Sequence, residues 1–284
     1  MFSRTINEVP VEVFRGINEM FDIVTKRSSG LSERQDFLGR EKDRNADFYG
    51  VKNYEEGMQF LRKGFKKAVE NMKTQRVDTI SSAMVIQRIA SVAGGSVDVA
   101  SFLCGVPECF RRRERRHAAS AAIRIVYDVT ASAAVDAADL IRVGSAVFRV
   151  VNEIQNGGQR VELFVTISVE KNGNKDICVV KIKDAGEPID LTRLSFCLCS
   201  AAFFRWLGFH WISTLRKGAY GYSLGHPMDK KLLRTICQTV LGKETPFAYI
   251  TAQNLLWDCG KKDGRELADR VLDKINIETA KQTI

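Results

Sequence analysis

Asp128, Thr130 and Ser132 stand at two-residue intervals where the apolar run Ile123 to Val126 gives out. One carboxylate and two hydroxyls on a strand-to-helix turn are hard oxygen donors, the chemistry that suits a divalent cation such as Mg2+. The carboxyl end of a strand is also where α/β folds bind ions and ligands. The same residues have a plainer use. Asp128 can cap its own turn, and Thr130 or Ser132 can cap the helix that follows.

A second constellation lies just upstream. Arg111-Arg112-Arg113-Glu114-Arg115-Arg116-His117 holds five arginines and one acid, with Phe110 beside it. Guanidinium forks match phosphate oxygens and stack on bases. A neighbouring aromatic ring suits single strands, whose bases are free to stack. A solvated connector ahead of the strand at 123 is the alternative. A third group is Lys63, Lys66 and Lys67, in a segment from 60 to 76 where Glu70 is the only acid. Phe48 and Tyr49 precede it, and a lysine face of this kind serves either polyanion contact or solvation alone.

Other reactive residue types form no such pattern. The seven cysteines, at 104, 109, 178, 197, 199, 237 and 259, contain no Cys-x-x-Cys pair. With His117, His210 and His226 as the chain's histidines, no zinc spacing arises. Buried, reduced thiols are expected. His210 sits between Phe209 and Trp211 and reads as a packed histidine; His226 lies in the glycine-rich stretch 216–227, and no nucleophile partner for it is identifiable. That stretch lacks the Lys-Ser/Thr pair of a phosphate-binding loop. No catalytic constellation emerges, so the chain is expected not to be an enzyme.

The 284 residues carry a formal charge of +9, with 45% hydrophobic and 27% charged residues, an ordinary globular balance with a basic excess. Residues 1–117 hold 21 Lys and Arg against 16 Asp and Glu; the remainder hold 22 against 18. A basic protein favours polyanionic partners. No run approaches the roughly 18 apolar residues of a membrane span, and the start lacks the apolar core of a secretory signal. A cytoplasmic protein without a membrane partner is expected.

The elements that must position these residues divide at about residue 117. Residues 1–117 read as a mainly helical, basic N-terminal region. In it, Val9 to Lys26 is expected as one helix, 28–47 as a polar linker, and a helix capped by Asn53 with Glu56 is expected to run to about Lys73. Residues 118–284 read as alternating α/β. Strands are expected at 123–129, 161–169, 177–182 and 247–251, with a short one at 209–212. Asn172-Gly173-Asn174 signals a hairpin. Helices are expected at 134–156, from Asp190 or Thr192 to about Trp206, at 230–241 and at 261–274.

The order of the strand into Asp128-x-Thr130-x-Ser132, the long helix, the hairpin from Val161 to Ile182, a second helix and a late strand resembles a von Willebrand factor A-like domain. That implies a Rossmann-like, doubly wound sheet over residues 118–284, with the helical region as an extension. The resemblance also implies that Asp128, Thr130 and Ser132 are part of a metal site. Such a site needs a threonine and a further aspartate from later loops, and of Asp176, Asp184 and Asp190 none ends a strand. Over about residues 48–227 the chain is similar to an uncharacterised family encoded by phages and prophages. Phe48-x-Gly50, Glu55-Glu56, Gly64, Gly105-x-Pro107-Glu108, Arg142-x-Gly144, Pro188-Ile189-Asp190-Leu191, Phe203-Phe204-Arg205 and Trp211-Ile212 carry that likeness. The resulting expectation is a phage accessory protein, in the host cytoplasm, that binds single-stranded DNA through Arg111, Arg112, Arg113, Arg115, Arg116, Lys63, Lys66 and Lys67. It would recruit a viral polymerase or other phage protein of transcription or replication. The alternative is a metal-dependent interaction or assembly module built on Asp128, Thr130 and Ser132.

Overall fold

Val9, Val11 and Val13 are buried in alternation with half-buried Pro10 and Glu12, a period of two that makes a strand and not the first turns of a helix. A computed structural model describes residues 1–31, 38, 45–74, 84–117, 122–215, 227–242, 247–259 and 264–280. In it β1 (Phe2–Ile6) and β2 (Val9–Phe14) form a hairpin. Its turn residues, Asn7 and Glu8, both take left-handed backbone angles of 50° and 65°. The sequence hides this hairpin because the turn is Asn-Glu where Asn-Gly would have announced it. Only the second half of the expected helix over 9–26 is helical, as α1 (Ile17–Ser28).

After α2 (Ala46–Tyr49), α3 (Tyr54–Lys63) and α4 (Lys66–Thr74) come β3 (Met84–Ser91), β4 (Ser96–Val97), α5 (Val99–Leu103) and β5 (Phe110–His117). The α/β part follows with β6 (Ile123–Asp128), α6 (Ala137–Asn156), β7 (Val161–Lys171) and β8 (Asn174–Lys183). Then come α7 (Leu191–Leu194), two π-helical stretches at Ser195–Cys199 and Phe203–Gly208, α8 (Phe209–Thr214), α9 (Lys230–Leu241), β9 (Phe247–Thr251), α10 (Ala252–Cys259) and α11 (Gly264–Ala280). Residues 209–212, expected as a strand, are helical. They continue directly from the preceding π-helical stretch, and all four are buried, so burial gives no alternation to separate the two forms.

Six strands make one mixed sheet in the order β1-β2-β8-β7-β6-β9. β6 runs parallel to both β7 and β9, and β7 and β8 form the antiparallel hairpin at Asn172-Gly173. Two of the six strands come from residues 1–14. The N-terminal region is therefore not purely a helical extension, and the edge of the core does not fall at residue 117. β7 is buried along Val161 to Val169 without alternation, as a strand covered on both faces must be. One face carries Ile125, Tyr127, Val165 and Ile250 against α1, α6, the π-helical stretches, α10 and α11; the other carries Val126, Phe164, Val179 and Tyr249 against α9. A separate three-stranded sheet, β3-β5-β4, holds the arginine run.

α6 lies against the backbone of the first π-helical stretch. Gly144 permits this, because a Cβ there would run into the carbonyl of Leu198. On the same helix Ser145 meets the thiol of Cys199 at 3.8 Å. Cys109, Cys178, Cys197, Cys199 and Cys237 are buried and free, and Cys104 is free and exposed.

Candidate functional site

Strand register brings oxygen-bearing side chains into one row. Asp128 at the end of β6 pairs with Thr166 on β7 and Thr251 on β9. The chain leaves β6 through α6 to reach β7 on one side, while β9 arrives on the other. The carboxyl ends of β6 and β9 are thus the switch point where open α/β sheets bind ligands.

Asp128 is fully buried there. Its Oδ1 accepts from the backbone N–H of Thr130 at 3.1 Å, and its Oδ2 accepts from the hydroxyl of Tyr249 at 3.3 Å. Burial pushes its pKa up to about 6, although the Thr130 contacts and the hydroxyls of Tyr249 and Thr166 pull the other way. Thr130 Oγ1 accepts from the backbone N–H of Ser168 at 2.9 Å. The backbone N–H of Ser132 donates to Gln253 Oε1 at 3.0 Å. The N-cap of α6 is Asp136, which accepts from Asp139 N–H at 2.8 Å; neither Thr130 nor Ser132 takes that position.

This donor set does not fit Mg2+. One carboxylate is present, and both its oxygens already accept hydrogen bonds from protein donors. Thr130 faces the neighbouring strand, and among the described residues no cluster of three or more Asp, Glu, His or Cys converges. Asp184 pairs with Lys181, Asp190 caps α7, and Asp176 pairs with Val169 within the hairpin. The row instead holds the loop 129–136 in place. Arg205, buried in the second π-helical stretch, reinforces it. Its guanidinium donates to the carbonyls of Phe48 at 2.6 Å, of Ser132 at 3.3 Å and of Val135, and stacks on the Phe48 ring at 3.8 Å. Burial pulls its pKa down to about 10, so it stays charged at neutral pH.

The arginine run is a strand and not a connector. Along β5, Arg111 lies opposite Ala90, Arg112 opposite Ile89, Arg113 opposite Arg88, Arg115 opposite Ile86 and Arg116 opposite Val85. Arg111 donates to Asp98, whose carboxyl it holds below the usual range and whose Oδ1 also caps α5 at Ser101 N–H. Arg112 is exposed. Asp98 was not singled out from the sequence; its pairing with Arg111 depends on β4 lying next to β5.

Lys63, Lys66 and Lys67 are exposed at the corner between α3 and α4. Gly64 makes the corner with a φ of +75°, and Phe65 N–H donates to buried Ser195 Oγ at 3.0 Å. α4 packs on α6 and the first π-helical stretch, so the lysines belong to the body of the molecule and the arginines to the small sheet. His210 is buried against Tyr54, ring to ring at 5.3 Å, as a packed histidine. His226 and the glycine-rich stretch lie outside the described residues up to 226. Met228, two residues on, is buried and its N–H reaches Ser168 Oγ at 3.4 Å. A cleft of about 920 Å3 between α1 and α3, lined by Phe21, Asp22, Tyr54, Glu55, Met58 and Arg62, contains none of the expected metal-binding or nucleic-acid-binding residues.

Among the described residues no helix is long and apolar enough to cross a membrane. No curated protein and no solved structure matches the chain. One family model does, over residues 3–279, nearly the whole length including β1, the small sheet and α11. The chain belongs to the family described as a domain of unknown function, DUF7192.

Proposed function

We propose that this protein is a nucleic-acid-binding accessory protein of phage origin, with β5 as its contact strand for single-stranded DNA. The carrying observation is the placement of five arginines on one eight-residue strand. A strand repeats its faces every two residues, so alternate positions recur about every 6.7 Å, a pitch that an extended sugar-phosphate chain can follow. Arg113 is paired in register with Arg88. The overall charge of +9 supplies long-range attraction.

The finer fold reading belongs with this proposal. The strand order β8-β7-β6-β9, with Asp128 at the carboxyl end of β6, supports a von Willebrand A-like core. That core serves as a scaffold, and a viral transcription or replication protein in the host cytoplasm is the partner that the phage resemblance suggests.

The test is anisotropy of a labelled single-stranded oligonucleotide over a salt titration. The expected log-log slope is about −0.7 for each phosphate neutralised. Replacing Arg112, Arg113, Arg115 and Arg116 with Gln should remove most of that slope. Absence of binding at low salt, or an unchanged slope in the variant, overturns the proposal.

A further inference from the structure

The β3–β5 ribbon enters and leaves at one end, near residues 84 and 117, and carries residues 92–109 at the other. Its eight paired positions set that tip roughly 24 Å from the entry point. At the tip Val99, Phe102 and Leu103 stand at i, i+3 and i+4 on α5, one helical face, and Val106 follows the helix end; they are 63%, 59%, 78% and 45% exposed. The stripe is built deliberately. Asp98 caps α5, Gly105 takes a φ of +70°, and Val106 N–H returns to Ser101 O at 3.0 Å, which folds Val106 back beneath the helix end. Val92 and Val97 are exposed beside it.

Exposed large apolar side chains gathered within one short segment mark a binding face. Phe102 is the one aromatic ring among these six, so base stacking is not its use. Arg111 and Arg112 follow Phe110 directly, about 3 to 7 Å behind the tip along the strand. Interfacial elements bury their apolar face about 5–10 Å into the headgroup and acyl boundary. At that depth the aliphatic side chains reach the acyl chains and Arg112 meets the phosphates. Asp98 is neutralised by Arg111, leaving Glu108 as the tip's other acid.

We infer that residues 92–106 form an insertion tip for an anionic lipid bilayer. Hydropathy offers no reason to expect a membrane partner, because it registers spans and the apolar face of a five-residue helix is too short to be one. The inference concerns a different surface from the proposed DNA contact and shares with it chiefly Arg112.

The experiment is co-sedimentation of the full chain with vesicles of phosphatidylcholine and phosphatidylglycerol, against phosphatidylcholine alone. Binding is expected with the anionic vesicles. Phe102→Ser combined with Leu103→Ser should weaken it about a hundredfold, and Arg112→Gln about fivefold. The double variant should keep wild-type affinity for single-stranded DNA and a wild-type unfolding curve. No binding to anionic vesicles, or equal binding by the double variant, overturns the inference. If vesicles are ignored and the double variant instead dissolves a dimer seen by sedimentation velocity, the tip is a self-association face and the inference fails. Loss of DNA binding with vesicle binding intact would remove the proposed function and leave this tip assignment standing.

Discussion

Tyr249 donates its hydroxyl to Oδ2 of Asp128 from the neighbouring strand at 3.3 Å. Burial, then the charge of Asp128, holds the phenol well above its ordinary pKa, so it remains the donor. The carboxyl is correspondingly costly to ionise, with a pKa of about 6 against 3.8 for an ordinary aspartate. Between those values the folded state binds more proton than the unfolded chain, so this group's contribution makes stability fall as pH rises through about 4 to 6. Asp128→Asn removes that ionisation. Urea unfolding at pH 7 to 8 should show the variant more stable, by up to roughly 3 kcal/mol. The gain should vanish near pH 4. A variant that is equally destabilised at both pH values would show that the charged carboxylate is needed to hold the Thr130 turn.

Arg205 is the second point where a buried charge organises the switch-point loop. Three backbone carbonyls from α2 and the loop 129–136 depend on one planar fork. Lysine offers a point charge in place of that fork. Arg205→Lys should therefore lose at least one of the three bonds and cost about 2 kcal/mol, and Arg205→Met should cost about 3 kcal/mol or more, because carbonyls are left unsatisfied out of water. Chemical denaturation reads both. Equal stability of Arg205→Met and wild type would mean that water takes over the three carbonyls.

Much of the α/β core was legible because its signals are local. Asn172-Gly173 announces a hairpin by backbone angle alone, and helix α9 runs over Lys230–Leu241 as its apolar spacing predicts. The N-terminal strands were not legible. Val9 to Val24 contains apolar residues that satisfy both periods, and the hairpin turn at Asn7-Glu8 lacks the usual glycine. β2 is a strand because β8 offers it a parallel edge, at Val11 opposite Ile177, which is a long-range fact. At the site, Asp128 was visible by type and position, but Tyr249 and Gln253 were not. Their roles come from strand register between β6 and β9, which a single sequence does not encode locally. The arginine run was visible as charge, and its strand form was hidden because a charged strand loses the apolar alternation by which strands are recognised.

Gly144 ties the Arg142-x-Gly144 motif to the fold in a way that can be measured. The α6 backbone approaches Leu198 and Cys199 so closely that a methyl group at 144 meets their backbone atoms, which cannot rotate aside. Overpacking against backbone is expensive. Gly144→Ala should cost about 3 kcal/mol or more despite the better helix propensity of alanine, and should lower the thermal midpoint accordingly. Gly95→Ala is the control, since nothing lies within 4 Å of a Cβ there; it should unfold within a few tenths of a kcal/mol of wild type.

The lysine corner and the arginine strand should separate in their salt dependence. Lys63, Lys66 and Lys67 are exposed on helices packed against the body, where a cation is solvated and contributes to DNA binding only if the strand passes over it. If single-stranded DNA follows β5, replacing all three lysines with Gln changes the net charge by three. That should weaken low-salt association modestly, by long-range attraction, while leaving the slope of log affinity against log salt close to wild type. Replacing Arg112, Arg113, Arg115 and Arg116 should flatten that slope by about 1.4 units, since alternate residues share a face of β5, two of the four meet the same single strand, and each contact carries about 0.7. The two variants can be compared at one oligonucleotide length by anisotropy. A slope that falls by about 2 units in the lysine variant instead would place the DNA path across the α3–α4 corner, with Ser195 and Gly64 as the residues that hold it in position.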